Sequence, residues 1–213
     1  MTSGSGEAVI AVVGACKAFG DLVILDDVSF VVRPGEAVAV VGANGSGKST
    51  LLKCAMGLEE LDSGEVLFDG APFDETSPGV RAAVACLLDD IDFFPDMSVL
   101  EHLRLCAWAH GAEGPEAAAL RVVEEVGLGA ARDQLPVTLS TGQRHRLGLA
   151  SCLVRPKRLL VLDEPEQRLD AEGVRWLAET LVEEKERGNG LLIASHNAEL
   201  LDAVADVVVE VKA

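Results

Sequence analysis

The sequence predicts an α/β protein built on a parallel sheet, and three observations carry that prediction. Apolar runs rich in β-branched residues alternate with helix-length segments along most of the chain, the pattern of strand–helix–strand units. Three strand-like runs near the start follow one another without a helix between them, which adds an antiparallel sheet beside the first. A stretch in the middle, about residues 90–138, has helical patterning and no strands, so a small helical subdomain is expected there. The chain is expected to be one domain over 1–213, with about 7–89 and 139–213 forming the α/β core.

The elements follow in order. Val9–Val13, Val23–Leu25 and Val28–Val32 read as short strands. Ala37–Val41 is a continuous apolar run ending at Gly42, which suits a buried parallel strand. A helix is predicted from Lys48 to Met56, stopped by Gly57, and strands return at Gly64–Phe68 and Ala82–Leu87. Ser98-Val99-Leu100-Glu101 is a capping box, opening a helix to about His110. Gly114-Pro115 opens another that ends near Gly127. Alternation then resumes: helix from Thr141 to Val154, strand Arg158–Leu162, helix Ala171–Arg187, strand Leu191–Ser195, a short helix, and strand Val207–Val211.

Composition excludes several classes. Hydrophobic content of 49% with 25% charged residues marks a chain able to bury a core. A net charge of −17 with no Lys/Arg cluster argues against nucleic-acid binding, which needs a basic face. The longest apolar runs, such as Ala8–Cys16, are far shorter than the ~18–20 residues that cross a bilayer, so no direct insertion is expected. Met1–Glu7 carries no Lys or Arg before that run, unlike a signal peptide, and a cytoplasmic location is expected. Five scattered cysteines, Cys16, Cys54, Cys86, Cys106 and Cys152, sit in apolar contexts and read as buried free thiols rather than disulfides or metal ligands.

Two motifs carry chemistry by themselves. Gly42-Ala43-Asn44-Gly45-Ser46-Gly47-Lys48-Ser49-Thr50 fits G-x-x-x-x-G-K-[ST] throughout. Its glycines let backbone N–H groups converge on phosphate oxygens, and the helix that follows adds positive potential. Lys48 is expected on the β- and γ-phosphates, and Ser49 on Mg²⁺. Leu159–Leu162 is an apolar strand running into Asp163-Glu164-Pro165. At such a strand end Asp163 can hold Mg²⁺, and Glu164 is a candidate base for the attacking water. An ordinary strand end with two solvated acids is the bland alternative for this second motif.

Residues 139–146, Leu-Ser-Thr-Gly-Gln-Arg-His-Arg, narrow the field most. They lie about 90 residues after Lys48 and shortly before Asp163, and Ser195-His196 follows later. This order resembles the ATP-binding subunit of ATP-binding-cassette (ABC) transporters, from Phe19 to His196. The resemblance implies a RecA-like P-loop nucleoside-triphosphatase core, ATP and Mg²⁺ as cofactors, and a dimer, homomeric or heteromeric, that ATP closes head to tail. It also implies a separately encoded transmembrane permease as partner, with this subunit peripheral on the inner face of the membrane. In that family Ser140, Gly142 and Gln143 would meet the ATP bound to the opposite subunit, and Asp170, after Arg168-Leu169, would bridge the two subunits. His196 would hold the γ-phosphate, the water and Glu164 in place. Thr141 replaces the first Gly of the signature pair, adding a Cβ where backbone passes close to ATP.

Two weaker expectations remain. Lys17-Ala18-Phe19-Gly20 resembles the loop whose aromatic ring stacks on adenine, and with no Tyr in the chain Phe19 would serve; a core Phe is the alternative, and Phe30 reads as core. The family has Gln at the end of the strand near residue 88, where counting back from Phe94-Pro95 places Asp89, with Asp90 leaving the register open by one. Asp89 is thus a candidate for catalysis and for Mg²⁺, and a solvated acidic turn is its alternative. The function so implied is a transport ATPase subunit. A non-transport ABC-type ATPase and a slow regulatory ATP-binding switch are the alternatives.

Overall fold

The computed structural model describes residues 7–88 and 91–212. A four-stranded antiparallel sheet, in the order β2-β1-β4-β5, lies against a five-stranded parallel sheet in the order β6-β7-β8-β3-β9. The antiparallel strands are β1 (Ile10–Phe19), β2 (Leu22–Val32), β4 (Ser63–Phe68) and β5 (Ala71–Pro72). The parallel ones are β3 (Ala37–Val41), β6 (Val84–Leu87), β7 (Leu159–Asp163), β8 (Gly190–Ala194) and β9 (Val207–Glu210).

Two strand expectations need correction. The three short runs at the start form two long strands, because β-bulges carry the ladder through residues that break the apolar pattern. Register shifts fall between Val12 and Ala18, Gly14 takes φ 60, and its N–H donates to Ser29 Oγ at 2.8 Å. On the partner strand Asp27 takes φ 52. The other correction is at Ala82–Leu87. Its first residues belong to a short helix, α2 (Pro78–Ala83), with Pro at its first position, and the strand starts only at Val84.

The three central parallel strands, β7, β8 and β3, are buried on both faces, so they read as unbroken apolar runs. Val38, Val40, Val161 and Leu192 face the antiparallel sheet and α1 (Lys48–Ala55). Ala37, Leu160, Leu162, Leu191 and Ile193 face α5 (Thr141–Leu153), α6 (Ala171–Glu186) and α7 (Ala198–Val204). A third apolar cluster joins α3 (Val99–Ala109) and α4 (Pro115–Glu125) to Leu147, Ala150 and Val154 of the α5 region. The helix predicted from Ser98 has its capping box, Ser98 Oγ accepting from Glu101 N and Glu101 Oε2 accepting from Ser98 N at 2.8 Å. Among the described residues no helix is long and apolar enough to cross a membrane. Of the cysteines, Cys54 and Cys152 are buried, Cys16 and Cys106 half-buried, and Cys86 exposed. Cys86 departs from expectation because β6 lies at an edge of its sheet. Asp89 and its neighbour Asp90 lie outside the described residues.

Candidate functional site

The phosphate loop leaves β3 at Val41 and enters α1 at Lys48, turning through Gly42 (φ 156), Gly45 (φ 80) and Gly47 (φ 103). Residues with a Cβ adopt such values only under strain. Gly47 has a second constraint: a Cβ there would come within 2.5 Å of Ile24 Cγ2, so the loop rests directly on β2. Lys48 is buried, and its Nζ donates to Gly42 O (3.0 Å) and Ala43 O (3.2 Å), which places its cation inside the curve of the loop. Ser46 Oγ is buried with no hydrogen-bond partner among the described residues, a donor that suits an anionic oxygen. The first turn of α1 carries no acidic residue and no side-chain cap, so its N–H groups add positive potential. Asn44 and Gly45 form the exposed tip, Ser49 is exposed, and Thr50 half-buried.

The acidic side is built by β7 and β8. Asp163 pairs with Ala194 at the end of the parallel ladder, and Glu164 turns out of the sheet at φ 44 while its N–H donates to Ala194 O at 2.8 Å. A cleft of roughly 280 Å³ is lined by Ser49, Leu87, Leu88, His145, Asp163, Glu164, Gln167 and Arg168. The hydroxyl of one motif and the two carboxylates of the other therefore meet in one space. Two hard oxygen donors fit Mg²⁺, which is ordinarily held by one or two protein oxygens together with substrate phosphates and water. His196 follows β8, with Nδ1 3.6 Å from Glu164 Oε1, and Gln167 Nε2 donates to Glu164 Oε2.

Three further residues at this site were missed by sequence reasoning. Glu166 is buried and accepts from Ser195 Oγ at 2.5 Å. Gln167 holds the other oxygen of Glu164. His145 Nε2 is 2.8 Å from Pro165 O and so ties α5 to the turn after β7. The available signal was the clustering of polar residues in Glu164–Arg168, but only the fold turns Glu166 inward.

The signature residues lie elsewhere. Ser140 is the N-cap of α5: Gln143 N donates to Ser140 Oγ (3.2 Å) and Ser140 N to Gln143 Oε1 (2.9 Å). Asp170 caps α6, accepting from Gly173 N at 2.9 Å, with Arg146 Nη2 3.6 Å from the same carboxylate oxygen. A Cβ on Gly142 would lie 3.4 Å from Arg168 O. None of Ser140, Gly142, Gln143 and Asp170 is among the described residues that line the cleft with Ser49 and Asp163. Phe19, at the turn between β1 and β2, is 51% exposed, with Lys17 Nζ 5.1 Å from its ring centroid, whereas Phe30 is buried in the core.

A parallel sheet with a glycine loop at the end of one strand, and paired carboxylates at the end of another, defines a P-loop nucleoside triphosphatase. The family model described as ABC transporter matches residues 25–167, and the chain belongs to that family as an ATP-hydrolysing, ATP-binding transport subunit. Similar proteins include the glutamate/glutamine/aspartate/asparagine transport ATP-binding protein BztD of Rhodobacter capsulatus, 30% identical over 96% of this chain and 80% of that one. The glutamate/aspartate import ATP-binding protein GltL of Escherichia coli K12 is 30% identical, over 94% and 86% of the two chains. The SkfA peptide export ATP-binding protein SkfE of Bacillus subtilis is 31% identical, over 92% and 82%. Among solved structures, the "Structure of ATP binding subunit of ABC transporter" superposes with a TM-score of 0.84 at 28% identity, covering 96% of this chain and 86% of that one.

Proposed function

We propose that this chain hydrolyses MgATP at an interface between two copies of itself. Gly42–Thr50 and Lys48 cradle the phosphates, Ser49 and Asp163 hold Mg²⁺, Glu164 takes the proton of the attacking water, and His196 orients both. Mg²⁺ would supply charge neutralisation at the β- and γ-phosphates. Ser140, Gly142 and Gln143 of the other copy cover the γ-phosphate, Asp170 bridges the copies, and Phe19 packs on the base. Asp89 takes the place of a glutamine beside Mg²⁺. The segment at about 90–138 is the helical subdomain that passes closure on to a separate transmembrane permease, and this subunit works at the inner face of the membrane through that partner.

One observation carries this reading: Ser49, Asp163 and Glu164 share a cleft, and the signature residues are outside it. A site whose second half comes from another copy accounts for both. The test is Glu164→Gln with ATP on size-exclusion chromatography. The amide cannot take the proton but keeps the side chain's size, and losing a negative charge eases repulsion from phosphate. An ATP-dependent dimer with hydrolysis reduced at least ~100-fold is expected. A Glu164→Gln variant that stays monomeric with saturating ATP would count against the shared interface.

A further inference from the structure

The imidazole of His196 faces two carboxylates. Its Nδ1 lies 3.6 Å from Glu164 Oε1 and 4.0 Å from Glu166 Oε1. The two acids differ in setting. Glu164 lines the cleft, whereas the Glu166 side chain is only 6% exposed. Glu166 Oε1 accepts a 2.5 Å hydrogen bond from Ser195 Oγ, and Ser195, fully buried, accepts in turn from Asn197 N at 3.0 Å. This chain of bonds spans the backbone of His196, which lies between Ser195 and Asn197. The other oxygen, Glu166 Oε2, is buried with no hydrogen-bond partner among the described residues.

A half-satisfied buried carboxyl group is a costly way to fill space, and an apolar side chain would fill it more cheaply. Its geometry relative to His196 suggests what the cost obtains. Nδ1 has carboxylate acceptors on its side, so that nitrogen carries the hydrogen and the Nε2 edge is turned away from them. At 3.6 Å the imidazole stands close enough to compete for one oxygen of the base, while Gln167 donates to the other.

We propose that Glu166 is the positioning residue for His196. It fixes the Ser195–His196 turn through Ser195 Oγ and offers Nδ1 a second carboxylate to turn towards, so that Glu164 is freed to receive the proton of the attacking water. No bond to Glu166 forms or breaks; the water proton goes to Glu164, the water oxygen bonds to the γ-phosphorus, and the bond from that phosphorus to the β,γ-bridging oxygen breaks, with ADP leaving. This rests on the roles given above to Glu164 and His196.

The test is a mutant cycle on the full chain with MgATP, reading single-turnover hydrolysis and ATP affinity together. Glu166→Leu should slow hydrolysis about 10-fold or more, with the Kd for ATP changed less than about twofold. Glu166→Gln, which keeps an acceptor oxygen for Ser195, should recover the rate to within about threefold of wild type. In a His196→Ala background Glu166→Leu should cost nothing further, because the two act as a unit. Ser195→Ala in the same cycle reads the same coupling if Glu166→Leu fails to fold. A wild-type rate in Glu166→Leu, or an equal loss with and without His196, overturns the proposal. A wild-type rate in His196→Ala overturns the role of His196 as well; a slow His196→Ala beside a fast Glu166→Leu overturns the proposal alone.

Discussion

Lys48 is held inside the loop by two backbone carbonyls, Gly42 O and Ala43 O, so its charge is positioned by the fold. Lys48→Ala should therefore lower kcat/KM by about 100-fold or more by removing the cation from the phosphates, while secondary structure by circular dichroism is unchanged. Wild-type turnover would place hydrolysis elsewhere. His102 presents a different residue-scale problem. It is buried on α3, its ring 5.2 Å from that of Phe93, and burial holds its pKa below the ordinary 6.5. The unfolded chain then binds a proton that the folded chain excludes. The associated stability is complete above pH ~6.5 and is lost as pH falls from there towards the lowered folded value. His110 shifts the same way, by burial first, and its share remains when His102 is replaced. Because His102 Nδ1 is buried without a hydrogen-bond partner among the described residues, His102→Leu should leave the Tm near pH 7.5 unchanged or higher. It should also flatten the fall in Tm between about pH 7 and pH 5.5. An equally steep fall in the variant would assign the acid sensitivity to other groups.

At the scale of elements, α6 is fastened at its C-terminal end by a buried ionic group. Glu184 accepts from Lys157 Nζ (3.0 Å), Arg187 Nη1 (2.6 Å) and Asn189 Nδ2 (2.7 Å), and the Lys157 and Glu184 side chains are each only 4% exposed. Glu184→Leu would leave Lys157 as an uncompensated buried cation, so a loss of about 3–5 kcal/mol is expected in urea unfolding. A smaller loss, below about 1 kcal/mol, would mean that water reaches the lysine. Elements of this kind show where the sequence is readable. The central parallel strands were legible because burial on both faces leaves an apolar run with a sharp end, as at Ala37–Val41. The helix from Ser98 was legible through its capping box. The long strands β1 and β2 were not, because bulges at Gly14 and near Asp27 read as breaks although the ladder passes through them. At the site, the phosphate loop and Asp163-Glu164 were legible as local strings, whereas Glu166 and His145 matter only through contacts made across the fold.

For the whole molecule, charge is the dominant feature. Two chains each bearing −17 must approach closely in the proposed dimer, and that repulsion is long-ranged at low salt. Raising NaCl from about 20 to about 200 mM should tighten the ATP-dependent dimer of Glu164→Gln severalfold in analytical ultracentrifugation. Weakening instead would mean that specific ion pairs dominate the interface. The order of the parallel sheet bears on how the molecule comes into being. β3 lies between β8 and β9, and Asp206 accepts from Ala37 N across 169 residues of chain. A ribosome thus releases the strand that carries the phosphate loop long before either neighbour has been synthesised. The β1–β2 hairpin can pair early, since its contacts are close in sequence, and β4 can join β1 soon after it is made, whereas β3 must wait for β8 and β9, apolar and unpaired on both edges. The nucleotide site is therefore assembled late, and during that interval the nascent chain exposes the strand most prone to the wrong partner, so elongation speed and holding chaperones should govern its yield more than they govern its final stability.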